Sequence, residues 1–385
     1  MILLNDFQRQ WRDTRDGVLQ AIAAVGESGR YILGEEVREF ETALARHWST
    51  AHAVGVASGL DAIEISLKVL GCKAGDRVLT TALSAFATTL AIVKLGAAPV
   101  FVDTDEFGLI DLQACRKVLA KRRDIRFMVP VHLYGHALNM RELRALQDEF
   151  GCVIVEDCAQ SVSASFDGSP TGSAGEMAAT SFYPTKNLGT IGDGGAIFTN
   201  NGEHAAAARS LRDYGQSSKY RHEFVGYNSR LDELQAAILR RVCLPKLPQW
   251  TERRRQIAAQ YLRGICNPHI RPLGCPTGSV SVWHLFPVLV ASERKADFMS
   301  YLKHNGIACG EHYPIPIPDQ EALRRVEHEV ASDYTAATRI ARSEVSLPVH
   351  PYLSDEEVAR VIEVCNAFGA IALSRDRLSK ILPQS

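Results

Sequence analysis

No stretch of this chain runs for about 20 apolar residues without a charge, the length a membrane-spanning helix needs. The N-terminus, MILLNDFQRQW, starts apolar but has no basic region before it and meets charge soon after, so it reads as neither signal peptide nor anchor. Nine cysteines occur at irregular spacing with no C-x-x-C pair, which argues against a disulfide framework and against a metal site of the zinc type. Reduced thiols in a cytoplasmic protein fit that usage. Charge of one sign is also lacking: 43 basic and 44 acidic side chains leave a net charge of −1. No nucleic-acid or membrane partner is expected from such a balance. The one basic cluster, Arg253-Arg254-Arg255, is short and helical in pattern, and is expected to be a solvated helix face.

What is present is an ordinary globular composition, 46% hydrophobic and 23% charged, over 385 residues. That length exceeds one simple core, so two domains are expected. Strand-like and helix-like runs alternate. VREFETALARHW (37–48) has helical period, 53–56 is a short apolar run, and GLDAIEISLKVLG (59–71) is helical again. The series continues with strand-like runs at 77–81, 99–103, 127–135, 152–160, 177–183 and 195–200. Short continuous apolar runs between helices predict an α/β architecture: a mainly parallel sheet, buried on both faces, in a three-layer α/β/α domain. LPKLPQW, near 245, breaks the pattern with two prolines. A large domain over 1–245, with an N-terminal helical segment, and a smaller α+β domain over 246–385 are expected. In such sheets sites lie beyond the carboxyl ends of the strands.

Three strand ends carry suggestive groups. Ser58 and Gly59 sit between a strand and a helix, where free N–H groups and the helix dipole suit a phosphate, although taken alone an N-cap and a turn explain them better. In VEDCAQ (155–160), Asp157 near the buried strand end needs a cationic partner to remain ionised, and Gln160 adds an amide nearby. In TSFYPTKNLGTIGDGGAIFTN (180–200), Lys186 stands in apolar surroundings before a run of glycines. The G-x-x-G-x-G within it precedes a strand in mid-chain, so it fails as a dinucleotide fingerprint and reads as turns that permit close backbone approach. Together the three segments meet the needs of pyridoxal phosphate. Those needs are a lysine amine for covalent attachment, an aspartate for the pyridine nitrogen, and a phosphate cradle of Ser58, Gly59 and Ser181.

EDCAQS, SFYPTKNLG and GDGGAIFTN resemble the DegT/DnrJ/EryC1/StrS sugar aminotransferases, as do GRYILGEEVREFE (29–41), GYNSRLDELQAAIL (226–239) and EHYPIPIPDQ (311–320). The resemblance covers nearly the whole chain and implies a fold-type I transaminase that passes an amino group from L-glutamate to a nucleotide-linked keto sugar. It implies Lys186 as catalytic residue and Asp157, Gln160 and Ser181 as cofactor contacts. Asn228 would reach the phosphate from the neighbouring subunit, hence a homodimer with shared sites. His312 and Tyr313 match sugar-pocket residues, and Tyr183 and Arg230 are further candidates there. Leu60 stands where many members have Thr, so backbone amides must compensate in the cradle. The ring-stacking aromatic would fall at Ala85, leaving Phe86, one position on, as its replacement. Lysine rather than histidine at 186 sets the chain apart from the dehydrating branch. Tyr183 before the lysine, with GLDA in the phosphate loop, resembles members acting at C3, and a dTDP-linked 3-keto-6-deoxyhexose is the expected substrate. The alternatives are a UDP-linked 3-keto sugar, amination at C4, another pyridoxal enzyme, or a non-catalytic regulator on the same fold.

Overall fold

The alternation read from the sequence recurs in the computed structural model of the protein, which describes residues 1–369; the end of the expected small domain, 370–385, lies outside the described residues. Helices α1 (Phe7–Ser28) and α2 (Glu35–Trp48) lead into β1 (His52–Val56), α3 (Gly59–Val69), β2 (Arg77–Thr81), α4 (Phe86–Lys94) and β3 (Ala98–Val102). Next come α5 (Leu112–Lys121), β4 (Ile125–Val129), α6 (Met140–Phe150) and β5 (Val153–Asp157). A short hairpin, β6 (Ser165–Phe166) with β7 (Ser169–Pro170), precedes β8 (Met177–Ser181), β9 (Gly195–Thr199) and α7 (Gly202–Arg212). A second hairpin, β10 (Gln216–Ser218) with β11 (Arg221–His222), leads to α8 (Glu233–Ile238) and α9 (Leu244–Gly264). The remainder holds β12 (Arg271–Pro272), β13 (Ser279–Val280), β14 (Phe286–Leu289), α10 (Ser292–His304), β15 (Glu329–Val330), α11 (Thr335–Ser343), β16 (Glu344–Leu347) and α12 (Asp355–Ala367).

Eight strands form the main sheet in the order β1-β9-β8-β5-β4-β2-β3-β15. All neighbours are parallel except β9, which runs antiparallel to both β1 and β8. The period of two along each strand divides its side chains between two cores. Val78, Phe127, Val129 and Val155 face the core shared with α3, α4 and α7. Leu79, Met128 and Ile154 face the one shared with α5 and α6. Burial on both faces is why these strands are apolar without alternation.

Three sequence expectations change. The prolines near 245 do not end the helix: α8, a π-helical turn at Leu239–Cys243 and α9 follow one another without a gap. Pro245 lies directly after the π turn and Pro248 stands inside α9, so the helical run carries both. Residue 245, the expected domain boundary, thus falls inside a helical run. The strand-like run VWHLFPVLV (282–290) forms a strand only over β14, because Trp283 takes a left-handed φ of 46° that strand geometry excludes. The arginine cluster is not a solvated face. Arg254 is buried and donates from Nη1 to the carbonyls of Trp283 (3.3 Å), His284 (3.4 Å) and Val349, while Arg255 donates to Ser281 O (3.0 Å). A guanidinium carries five donors, enough to satisfy a carbonyl-rich loop that offers no ladder.

α9, α10, α12 and the small sheet β12-β14-β16 enclose a separate apolar core in the C-terminal part. The two parts are tied together. β15 adds to the edge of the main sheet, and Ile2 exchanges backbone hydrogen bonds with Gly306 (2.7 Å) and Ala308 (2.8 Å). Arg9 makes a fork-like pair with Glu357 at 2.6 and 2.7 Å. These ties carry the N-terminus across the mouth of the cavity described next.

Candidate active site

A cavity of about 510 Å³ opens beyond the carboxyl ends of the strands, between the main sheet and the C-terminal part. It gathers Ser58, Gly59, Leu60, Asp157, Gln160, Ser181, Tyr183, Lys186, His312 and Tyr313 from the sequence-derived set. Lys186 is held by the loop between β8 and β9. Phe182, buried against Phe40, pins that loop by donating to Gly194 O (2.8 Å) and accepting from Thr190 N (2.9 Å). A tight turn from Tyr183 O to Lys186 N (2.8 Å) then aims the lysine at the cavity. Gly189 closes the turn: a Cβ there would meet the carbonyl oxygens of Pro184 and Tyr183 at 2.7 and 2.9 Å. Lys186 is half-buried on the cavity wall, and its amine has no hydrogen bond or ion pair among the described residues. Desolvation by burial pulls its pKa down to about 8 against the opposing pull of Asp157.

Asp157 ends β5 and is 5% exposed. Its carboxylate accepts from Thr88 Oγ1 (2.8 Å) and from Ala159 N (3.0 Å). Among the described residues no cation lies within ion-pairing distance of it, so the partner that the sequence called for must enter with a ligand. Near it, α3 starts at Gly59 with Ser58 as N-cap, accepting from Asp61 N at 3.1 Å. Backbones crowd here. A Cβ on Gly59 would lie 2.7 Å from Ser181 Cβ, and one on Gly195 would lie 2.4 Å from Ser58 C and O. A side chain at either position would push α3 away from β8 and β9, so both glycines are required by close approach. The helix start, Ser58 and Ser181 form a cradle of donors that suits a phosphate. A lone carboxylate, a neutral-prone amine and an anion cradle around one cavity are the donor set pyridoxal phosphate requires, and the residues present fit that group.

The opposite wall is polar. Gln160 accepts from Tyr134 N (2.7 Å) and donates to the Tyr313 hydroxyl (3.2 Å), which leaves the phenol proton free for the cavity. Burial raises Tyr313 to about 12, so it stays protonated. Burial, then the charge of Lys186, lowers His312 to about 4, so its ring is neutral near pH 7. His312 Nδ1 faces Ser346 Oγ (2.9 Å), which in turn donates to buried Glu344. No local pattern marks Glu344 or Ser346, which lie on a separate strand, β16.

Three expected residues lie away from the cavity in this chain. Phe86 packs against the core beneath β2 and β3, while Ala85 and Ala87 on either side of it line the cavity. A side chain at the first position of α4 points inward here, so Phe86 does not replace the stacking aromatic. Arg230 pairs with Asp213 (2.9 Å) and lies over the Tyr214 ring, and Asn228 is exposed beside Asp213. Among the lining residues that had not been singled out are Asn5, Ser84, Thr88 and His284. Ser84 and Thr88 follow the carboxyl end of β2, so the strand-end rule could have found them. Asn5 and His284 arrive through tertiary folding and leave no local signal.

A mainly parallel sheet with a lysine between two strands, facing a lone carboxylate and an anion cradle, fits a class of transaminases, and comparison with known proteins narrows it. The chain belongs to the DegT/DnrJ/EryC1/StrS aminotransferase family, whose profile matches residues 13–366. It is 41% identical to a dTDP-3-amino-3,4,6-trideoxy-alpha-D-glucose transaminase of Streptomyces venezuelae over 93% of both chains. It is also 41% identical to a dTDP-3-amino-3,6-dideoxy-alpha-D-galactopyranose transaminase of Aneurinibacillus thermoaerophilus, over 91% of this chain and 95% of that one. The crystal structure of S. venezuelae DesV in complex with a ketimine intermediate superposes with a TM-score of 0.90 at 40% identity, covering 96% of this chain and 98% of that one.

Proposed function

We propose that the protein is a pyridoxal-phosphate-dependent aminotransferase that converts a dTDP-linked 3-keto-6-deoxyhexose to the dTDP-3-amino-3,6-dideoxyhexose, with L-glutamate as amino donor. The observation that carries this reading is Lys186, an amine lowered to about 8, sharing one cavity with the cation-free carboxylate of Asp157. Close relatives that are dTDP-3-amino-sugar transaminases support the substrate class and the C3 position.

Bound pyridoxal phosphate supplies an aldehyde for covalent attachment and a cationic ring that withdraws electrons from the carbon bearing the amino group. Asp157, fixed by Thr88 and Ala159, holds the ring nitrogen in its protonated state. Ser58, Ser181 and the backbone of Gly59 and Leu60 would hold the phosphate, and Gln160 would contact the ring. Lys186 Nζ attaches the cofactor. Once free, it removes the proton from the amine-bearing carbon of glutamate and delivers one to the former keto carbon of the sugar. A lysine of ordinary basicity would be protonated almost entirely at neutral pH; lowering it to about 8 keeps a working fraction neutral. His312, Tyr313 and Tyr183 contact the sugar.

Asn228 completes the site of a neighbouring subunit, which accounts for its exposure here, and the working unit is a homodimer. Exposed Phe224, Val225 and Tyr220 beside them supply apolar surface for that contact. A cytoplasmic location suits nine free cysteines and the absence, among the described residues, of a helix long and apolar enough to cross a membrane. The direct test is purified protein supplied with pyridoxal phosphate, the keto sugar nucleotide and glutamate. The aminated sugar and 2-oxoglutarate should form one for one, and no product with either partner omitted. Formation of a 4-amino sugar instead would overturn the C3 assignment.

A further inference from the structure

His284 is buried on the cavity wall and is used by none of the steps above. Its position depends on the residue next to the lysine. Asn187 donates from Nδ2 to Val282 O (3.0 Å), which fixes the orientation of its amide. Asn187 Oδ1 therefore faces His284 Nδ1 at 3.2 Å, and an oxygen with no proton can only accept. His284 Nδ1 must carry the hydrogen. Burial first, then the charges of Lys186, Arg254 and His312, holds the ring well below the usual histidine range. The ring is neutral, so Nε2 offers a lone pair.

Nothing in the described residues donates to that lone pair. Lys186, on the same cavity, makes no hydrogen bond to it. Arg254, which supports the backbone of this segment, spends its Nη1 on the carbonyls of Trp283, His284 and Val349. The partner must arrive from the cavity and must be a donor. An acceptor such as the glutamate carboxylate would meet lone pair against lone pair.

We propose that His284 is a specificity-determining residue whose Nε2 accepts a hydrogen bond from a sugar hydroxyl adjacent to the carbon being aminated. This rests on the nucleotide-sugar reading above. The aminated carbon of a 3-keto hexose is flanked by hydroxyl-bearing carbons, C2 and C4, whereas the only donor on glutamate is the amine consumed by the transfer, which leaves carboxylates that accept.

The test uses holoenzyme, wild type and His284→Phe or His284→Gln, titrated calorimetrically with dTDP-3-amino-3,6-dideoxyhexose and its 2-deoxy and 4-deoxy counterparts. The Phe variant should bind the full ligand about tenfold more weakly than wild type, the worth of a hydrogen bond at a buried site. Gln, which keeps an acceptor, should restore part of the loss. For one of the two deoxy ligands, wild type and Phe variant should bind alike. The rate of the glutamate half-reaction should not change. If the Phe variant does not fold, Asn187→Ala keeps the ring but releases Nδ1, and a smaller loss confined to the same sugar ligand is expected. Equal binding of the full ligand by wild type and variants would overturn the proposal. So would a loss of equal size with both deoxy ligands, or one that appears with glutamate. Wild-type protein that binds none of the sugar nucleotides would overturn the nucleotide-sugar reading itself.

Discussion

Lys186 is a nucleophile only when its amine is neutral, and the fold moves that condition from the ordinary 10.5 to about 8. Burial is the first cause, and it acts on the free amine before any cofactor is present. The rate at which apoprotein captures pyridoxal phosphate should therefore rise with pH with a midpoint near 8, followed by stopped-flow absorbance. A midpoint near the ordinary lysine value would contradict the assigned environment. The same shift has a stability consequence. Between about 8 and 10.5 the unfolded chain holds a proton on this lysine that the folded chain has released, so stability rises with pH there. Below about 8 both states are protonated, and the penalty for confining the ammonium is complete. Subtracting the denaturation curves of Lys186→Met apoprotein from those of wild type should isolate that rise. Turnover is a separate matter: Lys186→Ala should lose at least about a thousandfold, because acid–base transfer and cofactor attachment disappear together. Product formation near the wild-type rate would refute the role.

The elements that place these residues were mostly readable, for an identifiable reason. Strands with Val78, Phe127 and Val155 on one face and Leu79, Met128 and Ile154 on the other must be apolar throughout, and that pattern is local. Ser58, Asp157 and Lys186 also carried local signals, since each lies at or just past a strand end. What escaped notice depends on contacts far apart in sequence. Pro245 looks like a helix breaker until the π turn before it is known, and Arg254 looks solvated until the carbonyls of Trp283 and Val349 are placed beside it. Phe86 misled because one position along a helix decides whether a ring faces the cavity or the core. The glycines were read correctly as sites of close approach, and this can be measured. Gly195→Ala forces a Cβ into the backbone of Ser58 and should cost about 1–3 kcal/mol in urea denaturation, with weakened cofactor phosphate binding. Gly26→Ala, within α1 with nothing inside 4 Å of the added carbon, should instead stabilise by roughly 0.5–1 kcal/mol. Equal effects at the two positions would show that backbone crowding at the cradle is not what retains Gly195.

For the whole molecule the question is how many chains make one site. The cavity of a single chain holds Lys186, Asp157 and the start of α3, yet Asn228 is exposed and Arg230 is occupied with Asp213. Two-fold association places the same patch of each subunit against its copy, so a residue on the rim of one chain can complete the cavity of the other. Mixing two impaired variants distinguishes this arrangement from a self-contained site. Take Lys186→Ala chains and Asn228→Ala chains, dissociate them together, and let them reassociate at limiting cofactor. In a mixed dimer with shared sites, one cavity receives both substitutions and the other receives neither. Random pairing makes half of all dimers mixed, so activity should return to roughly a quarter of the wild-type value. If Asn228 served its own chain, each cavity of the mixed dimer would keep one defect and no activity would return. The outcome does not depend on the size of either single defect, provided that both are large. It therefore tests the shared site apart from the identity of the sugar, the nucleotide or the carbon that receives nitrogen.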